Sequence, residues 1–185
     1  MMIESKKDLI EYIEADNHFL ILEGIKARFV ANYAQYPTQV LKKYLYYLRK
    51  QEYYINTANG NKPKGLLGLF YERRKNRLGI KLGIEIGPNC FGKGLSIWHI
   101  GSIIVNADAK IGENCTLHGG NCIGNNGKDN AVPRIGNNVD IGYGAVVIGD
   151  IEIADNVTIG ANAVVNKSVL VSGSVVVGVP GKINQ

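Results

Sequence analysis

Residues 135–177 read, in sixes, IGNNVD IGYGAV VIGDIE IADNVT IGANAV VNKSVL VSGSVV V. Every block opens on an aliphatic side chain: Ile135, Ile141, Val147, Ile153, Ile159, Val165, Val171 and Val177. A period of six is neither the 3.6 of a helix nor the two of a strand. It suits a coil with three short flat sides, each carrying one inward aliphatic, and so predicts a triangular parallel β-helix. Each buried rung is worth roughly 1.5–3 kcal/mol. Small residues follow the inward ones, as in Ile135-Gly136, Ile141-Gly142, Ile153-Ala154 and Ile159-Gly160. Positive φ at sharp corners is the expected reason, since only Gly, Asn or Asp adopts it cheaply.

The same frame reads backwards through Ile123, Leu117, Ile111 and Val105. Between Ile123 and Ile135 the interval doubles, so residues 124–134 (GNNGKDNAVPR) are predicted to leave the coil and return in register. With about eighteen residues per coil, residues 84–180 make about five coils. The period does not dictate the hand of the coil.

Residues 1–78 are predicted to be helical, and 79–185 to form the β-helix. Ser5 and Asp8 have capping-box spacing ahead of Leu9, Ile10 and Ile13. Thr38, after Pro37, is placed as the N-cap of a second helix whose apolar face is Val40, Leu41, Tyr44, Leu45 and Leu48. Residues 57–65 (TANGNKPKG) read as a turn-rich break, and Phe70 to Arg77 as a basic connector.

The chain has 185 residues and a formal charge of +5. The excess lies in the first eighty residues, densest at Arg73, Arg74, Lys75 and Arg77, where it forms a solvated helix end or attracts an anionic substrate or membrane surface. No nucleic-acid motif accompanies it. No apolar run approaches the roughly twenty residues needed to span a bilayer, and the N-terminus lacks an apolar signal core, so a cytoplasmic location is expected. Cys90, Cys115 and Cys122 show no CxxC pairing and read as buried thiols.

The chemistry centres on His99, in Ser96-Ile97-Trp98-His99-Ile100-Gly101, where the repeat breaks and must shift by two residues between Ile103 and Val105. A structural histidine in a strand is the plainer alternative. His118, nineteen positions on and one beyond the inward Leu117, should point outward and neighbour His99 on the next coil. His18 reads as a surface residue. Zinc chemistry of the gamma-class carbonic anhydrase kind needs a histidine pair five residues apart, which is missing, so no metal is expected. Gly124 to Lys128 lacks P-loop spacing.

The stretch from Leu78 to Lys182 resembles the serine acetyltransferase branch of the left-handed β-helix acyltransferases, and most the sugar O-acetyltransferases of bacterial capsule and exopolysaccharide biosynthesis. The matching pieces are Gly94-Leu95-Ser96-Ile97-Trp98-His99, Ile103-Ile104-Val105-Asn106, Ala109 to Cys115, and Gly178-Val179-Pro180-Gly181-Lys182. The resemblance implies a left-handed coil, a homotrimer, and acetyl-CoA laid along the groove between neighbouring subunits. It casts His99 as general base, maps acetyl-CoA contacts onto Tyr143, Ala161, Asn166, Lys167 and Lys182, and brings an orienting carboxylate near Ile84. Glu85 stands one position from that place, on the opposite strand face.

Two departures bear on the acceptor. The family's aspartate before the base is Trp98 here, and its Arg-His pair before the loop-closing proline is Ala131-Val132 before Pro133. Both favour a sugar hydroxyl, with Trp98 as an acceptor platform, over free serine. Serine O-acetyltransferase and a non-catalytic trimeric β-helix binding module are the alternatives.

Overall fold

The structure, a computed structural model, describes residues 2–16 and 24–184. His18 lies outside them. Four helices precede the strands: α1 (Lys6–Asp16), α2 (Ile25–Tyr33), α3 (Pro37–Asn56) and α4 (Lys62–Leu82). The cap at Ser5 forms as the spacing predicts. Its Oγ accepts the Asp8 N–H at 3.1 Å, while Asp8 Oδ2 accepts from Ser5 N–H at 2.8 Å and Glu4 N–H at 3.0 Å. The buried stripe of α1 is Leu9, Tyr12 and Asp16, and Ile10 faces solvent.

Thr38 is not the cap of α3. Pro37 takes the first helical position, where its fixed φ suits the helix and its missing N–H costs nothing, and Tyr36 precedes it. Of the predicted face, Leu41, Tyr44, Leu45 and Leu48 are buried and Val40 is half-buried. The expected break shrinks to residues 57–61. Asn61 caps α4 by accepting the Lys64 N–H at 3.1 Å, Pro63 sits in the first turn, and the supposed connector from Phe70 to Arg77 is mid-helix. Gly83, at φ 69°, ends α4, and the first strand follows at once.

Three sheets form the sides of the coil. The first holds β1 (Ile84–Ile86), β3 (Ile103–Val105), β6 (Cys122–Gly124), β9 (Val146–Ile148) and β12 (Val164–Val165). The second holds β4 (Lys110–Ile111), β7 (Arg134–Ile135) and β10 (Glu152–Ile153). The third holds β2 (Ser96–Ile97), β5 (Thr116–Leu117), β8 (Asp140–Ile141), β11 (Thr158–Ile159), β13 (Val175–Val177) and β14 (Lys182–Asn184). Apart from the β13–β14 pair, every strand pairing is parallel. β14 turns back antiparallel onto β13 and covers part of that sheet's edge.

The inward column from Val105 to Val165 is buried as the six-residue frame predicts. The frame fails at the end: Val171 is 63% exposed and Val177 40%, and Val169 and Val176 are buried instead. Val169 bridges Ile153 and Val176 pairs with Ile159, so the last coil is shorter than those before it and the inward positions slip. A second buried column stands two positions before the first, at Ala109, Cys115, Val139, Ala145, Val157 and Ala163.

The glycines after inward residues are small for a different reason from the one expected. Gly136, Gly142 and Gly160 are not among the residues with positive φ. A Cβ on Gly142 would sit 2.6 Å from the Ala161 nitrogen, so the next coil leaves no room for one. Left-handed corners fall instead at other glycines, such as Gly94, Gly120 and Gly144, and at asparagines, among them Asn114, Asn138 and Asn156. Their side chains form a ladder, Asn114 Nδ2 to Asn138 Oδ1 at 3.0 Å and Asn138 Nδ2 to Asn156 Oδ1 at 3.1 Å.

Helices and coil share one core, in which Leu41, Tyr44, Leu45 and Leu48 join the strand residues. Buried Arg49 ties them together. It donates to Asp16 Oδ2 at 2.7 Å, Glu52 Oε2 at 3.0 Å, and the carbonyls of Phe91 and Gly92 at 3.0 and 2.7 Å. Burial alone would ease its proton off, but Glu52 and Asp16 outweigh that and hold the guanidinium charged.

Candidate active site

The corner that carries His99 is longer than its successors. Ile97 pairs with Leu117, twenty positions on, whereas Val105 pairs with Ile123, eighteen on. The two extra residues fall between β2 and β3, in the turn that holds Trp98 and His99. From β3 on the ordinary pattern holds, with Ile103 and Val105 buried and Ile104 facing out.

The insertion changes which side chains meet. Trp98 N–H bonds the Leu117 carbonyl at 3.0 Å, which aligns Trp98 with His118. The two rings lie 4.5 Å apart between centroids. The ring that His118 meets is thus that of Trp98, one position before His99. His118 is half-buried, and its Nε2 lies 2.7 Å from Asp140 Oδ1 on β8. Sequence reading passed over Asp140, whose only signal was its place just before the inward Ile141.

His99 is exposed, and among the described residues its side chain has no hydrogen-bond or ion-pair partner. Its Cβ borders Gly119: a Cβ built on Gly119 would lie 3.4 Å from that of His99 and 3.3 Å from the Tyr143 ring. The edge between the third and first sheets thus stacks His99, Gly119, Tyr143 and Ala161 on successive coils, and Tyr143 and Ala161 are exposed there. A side chain at Gly119 would press on both His99 and the Tyr143 ring. Asn121 anchors this corner by accepting the Gly119 N–H at 2.9 Å and donating to the Gly142 carbonyl at 2.8 Å.

Lys182 reaches the same end of β12, because Gly181 N–H bonds Val164 O at 2.7 Å. Asn166 and Lys167 follow β12 and stand at its other end, exposed. Glu85 faces outward beside Ile104 on the first sheet and makes no hydrogen bond to His99 among the described residues. A cavity of about 180 Å³ opens at the His99 corner, walled by Asp16, Thr38, Leu45, Ser96, Ile97, Trp98 and His99 itself. The helical region supplies one wall of it, through Asp16, Thr38 and Leu45. The 125–133 segment leaves between β6 and β7, as predicted, and Val132 packs against the core.

Among the described residues no three His, Cys, Asp or Glu side chains converge to hold a metal ion, and no helix is long and apolar enough to cross a membrane.

Comparison with known proteins agrees with this architecture. The bacterial transferase hexapeptide (six repeats) family matches residues 133–167. WcaB of Escherichia coli strain K12, named for colanic acid biosynthesis acetyltransferase activity, is 38% identical over 63 residues, covering 34% of this chain and 39% of that protein. A serine acetyltransferase of Staphylococcus aureus strain Mu50 is 46% identical over 74 residues, covering 38% of this chain and 35% of that protein. The matches thus span well under half the length of these relatives. In three dimensions the serine acetyltransferase of Neisseria gonorrhoeae superposes with a TM-score of 0.69 at 25% identity, over 97% of this chain and 68% of that one. Repeat, sheet topology and local likeness together show a left-handed β-helix built on a hexapeptide repeat, similar in fold to serine acetyltransferases.

Proposed function

We propose that the chain is an acetyl-CoA-dependent O-acetyltransferase that modifies a hydroxyl of a sugar or glycan intermediate, with His99 as general base. The observation that carries this reading is the single edge on which His99, Gly119, Tyr143 and Ala161 stack, with Trp98 exposed beside the histidine. A thioester is already activated, so the demanding step is removing the acceptor proton. The imidazole takes that proton as the hydroxyl oxygen attacks the thioester carbonyl. The tetrahedral oxyanion then collapses, and the departing CoA thiolate recovers the proton. Tyr143 and Ala161 would line the acetyl-CoA groove, and Lys182, at the same edge, suits a CoA phosphate as a point charge. Asn166 and Lys167 would reach that groove only across a subunit boundary, which fits a homotrimer. Light scattering checks this: a monomer mass at micromolar concentration removes both the trimer and the shared groove.

Trp98 offers a flat apolar face for the C–H side of a pyranose, and serine would desolvate its charges beside Trp98 without partners. The 46% local identity to a serine acetyltransferase keeps free serine as the second reading. A second base is also favoured by one observation, since His118 and not His99 has a carboxylate at 2.7 Å.

One experiment separates these. Acetyl-CoA turnover is measured against sugars, nucleotide sugars and serine for wild type, His99→Ala, His118→Ala and Asp140→Asn. The expected result is sugar-dependent CoA release that His99→Ala lowers by at least about 10² with little change in acetyl-CoA KM. A larger loss in His118→Ala and Asp140→Asn would move the base to that pair. Efficient turnover of serine alone would replace the sugar reading.

A further inference from the structure

The face of α4 turned away from the β-helix is both basic and apolar. Leu66, Leu69 and Ile80 are 66%, 61% and 84% exposed, on the same side of the helix as Arg73 and Arg77. The buried side carries Gly68, Lys75, Gly79 and Leu82, and Lys75 donates to the Ile86 carbonyl at 2.7 Å. The basic run noted in the sequence is therefore split. Lys75 serves the fold, and its neighbours face out.

Between α3 and α4 the outward cations close around a groove of about 630 Å³, with Lys43 from α3 and Arg73, Arg74, Arg77 and Lys81 from α4. Among the described residues no Asp or Glu lines it, and none of the five forms an ion pair. Phe70, under the Arg74 guanidinium at 4.9 Å, and Tyr47 supply its apolar floor. Five cations without counter-charges repel one another, a cost that an anionic ligand would relieve. A second, shallower groove lined by Leu69, Glu72, Arg73, Asn76, Arg77, Ile80 and Lys81 continues along the same helix, with three cations to its one carboxylate.

We propose that α4 docks the protein on an anionic membrane surface, with headgroup phosphates in the basic groove and Leu66, Leu69 and Ile80 in the interfacial layer. Cations interleaved with exposed aliphatics along one helix are what an interfacial helix requires. A small soluble anion would use the groove but leave the aliphatics unsatisfied. A second copy applied face to face would set cations against cations. Docking would also place the candidate chemistry near the surface, because Gly83, at the end of α4, accepts the Ile103 N–H at 2.8 Å and packs against Gly101 of the His99 corner. The inference rests on α4 and not on acetyl transfer, and its readout is binding.

The test is flotation of the full chain with vesicles of phosphatidylcholine alone or with about one third phosphatidylglycerol. Binding to the anionic vesicles only, weakened by salt, is the expected result. Arg73→Glu with Arg77→Glu should lower the partition at least about tenfold. Leu69→Ser with Ile80→Ser should lower the part that survives high salt, with circular dichroism unchanged for both pairs. Equal binding to neutral vesicles, or none to either, overturns the proposal. Complete displacement by inorganic pyrophosphate, with the serine variants binding as wild type, overturns it in favour of a soluble phosphate ligand. A fall in oligomer mass in the serine variants, with no vesicle binding by wild type, overturns it in favour of a second copy.

Discussion

Cys115 and His118 stand three positions apart, and burial gives them opposite roles. His118 reaches the corner edge, where it meets Trp98 and Asp140. Cys115 lies wholly inside the second buried column, where burial, helped by the charge of Asp140, pushes its thiol well above the ordinary 9.0. A thiol so held is neither a nucleophile nor a metal ligand near neutral pH. Because its folded pKa exceeds its unfolded one, its contribution to stability is intact below about pH 9 and is lost as pH rises further. Cys115→Ala should therefore leave turnover unchanged and flatten the alkaline loss of stability. Urea unfolding at about pH 8 and about pH 10 checks it, and an unchanged alkaline slope would contradict it. The histidines show the limit of counting along the chain. Nineteen positions put His118 one past a full coil from His99, but this coil has two additional residues, so His118 faces Trp98 instead.

At the scale of elements, glycine means different things in coil and helix. Gly142 lies under the Ala161 nitrogen of the next coil, so Gly142→Ala should overpack it and cost about 1–3 kcal/mol. Gly65 lies in α4 with nothing within 4 Å of a built Cβ, so Gly65→Ala should stabilise by about 0.5–1 kcal/mol. Thermal unfolding of the pair gives the signs, and two shifts of one sign would refute the steric account. Gly65 and Pro63 are also why α4 was read from sequence as a break. Pro63 falls in the first turn, where it is harmless, and Gly68 lets α4 approach Ile55 of α3. Packing between the two helices outweighs two poor helix formers.

For the whole molecule, the join between helices and β-helix rests on Arg49. Arg49→Met strands the Asp16 and Glu52 carboxylates, which are buried, and should cost about 3–5 kcal/mol. Replacing Arg49, Asp16 and Glu52 together with apolar residues should recover much of that, because the penalty comes from the unpaired charge. Denaturant midpoints decide, and a loss below about 1 kcal/mol in the single variant would show that the network does not hold the join. What was legible in the sequence is what repeats locally. The aliphatic column, the excursion loop, the cap at Ser5 and the apolar face of α3 each follow from side-chain order along a few turns of chain. Only the tertiary structure decided the rest: Val169 and Val176 in place of Val171 and Val177, Asp140 beside His118, Asp16 and Thr38 beside Trp98, and Arg49 beneath the first coil. Contacts between coils depend on the length of each coil. An insertion of two residues or a shortened last turn leaves the local pattern nearly intact while it changes which side chains meet.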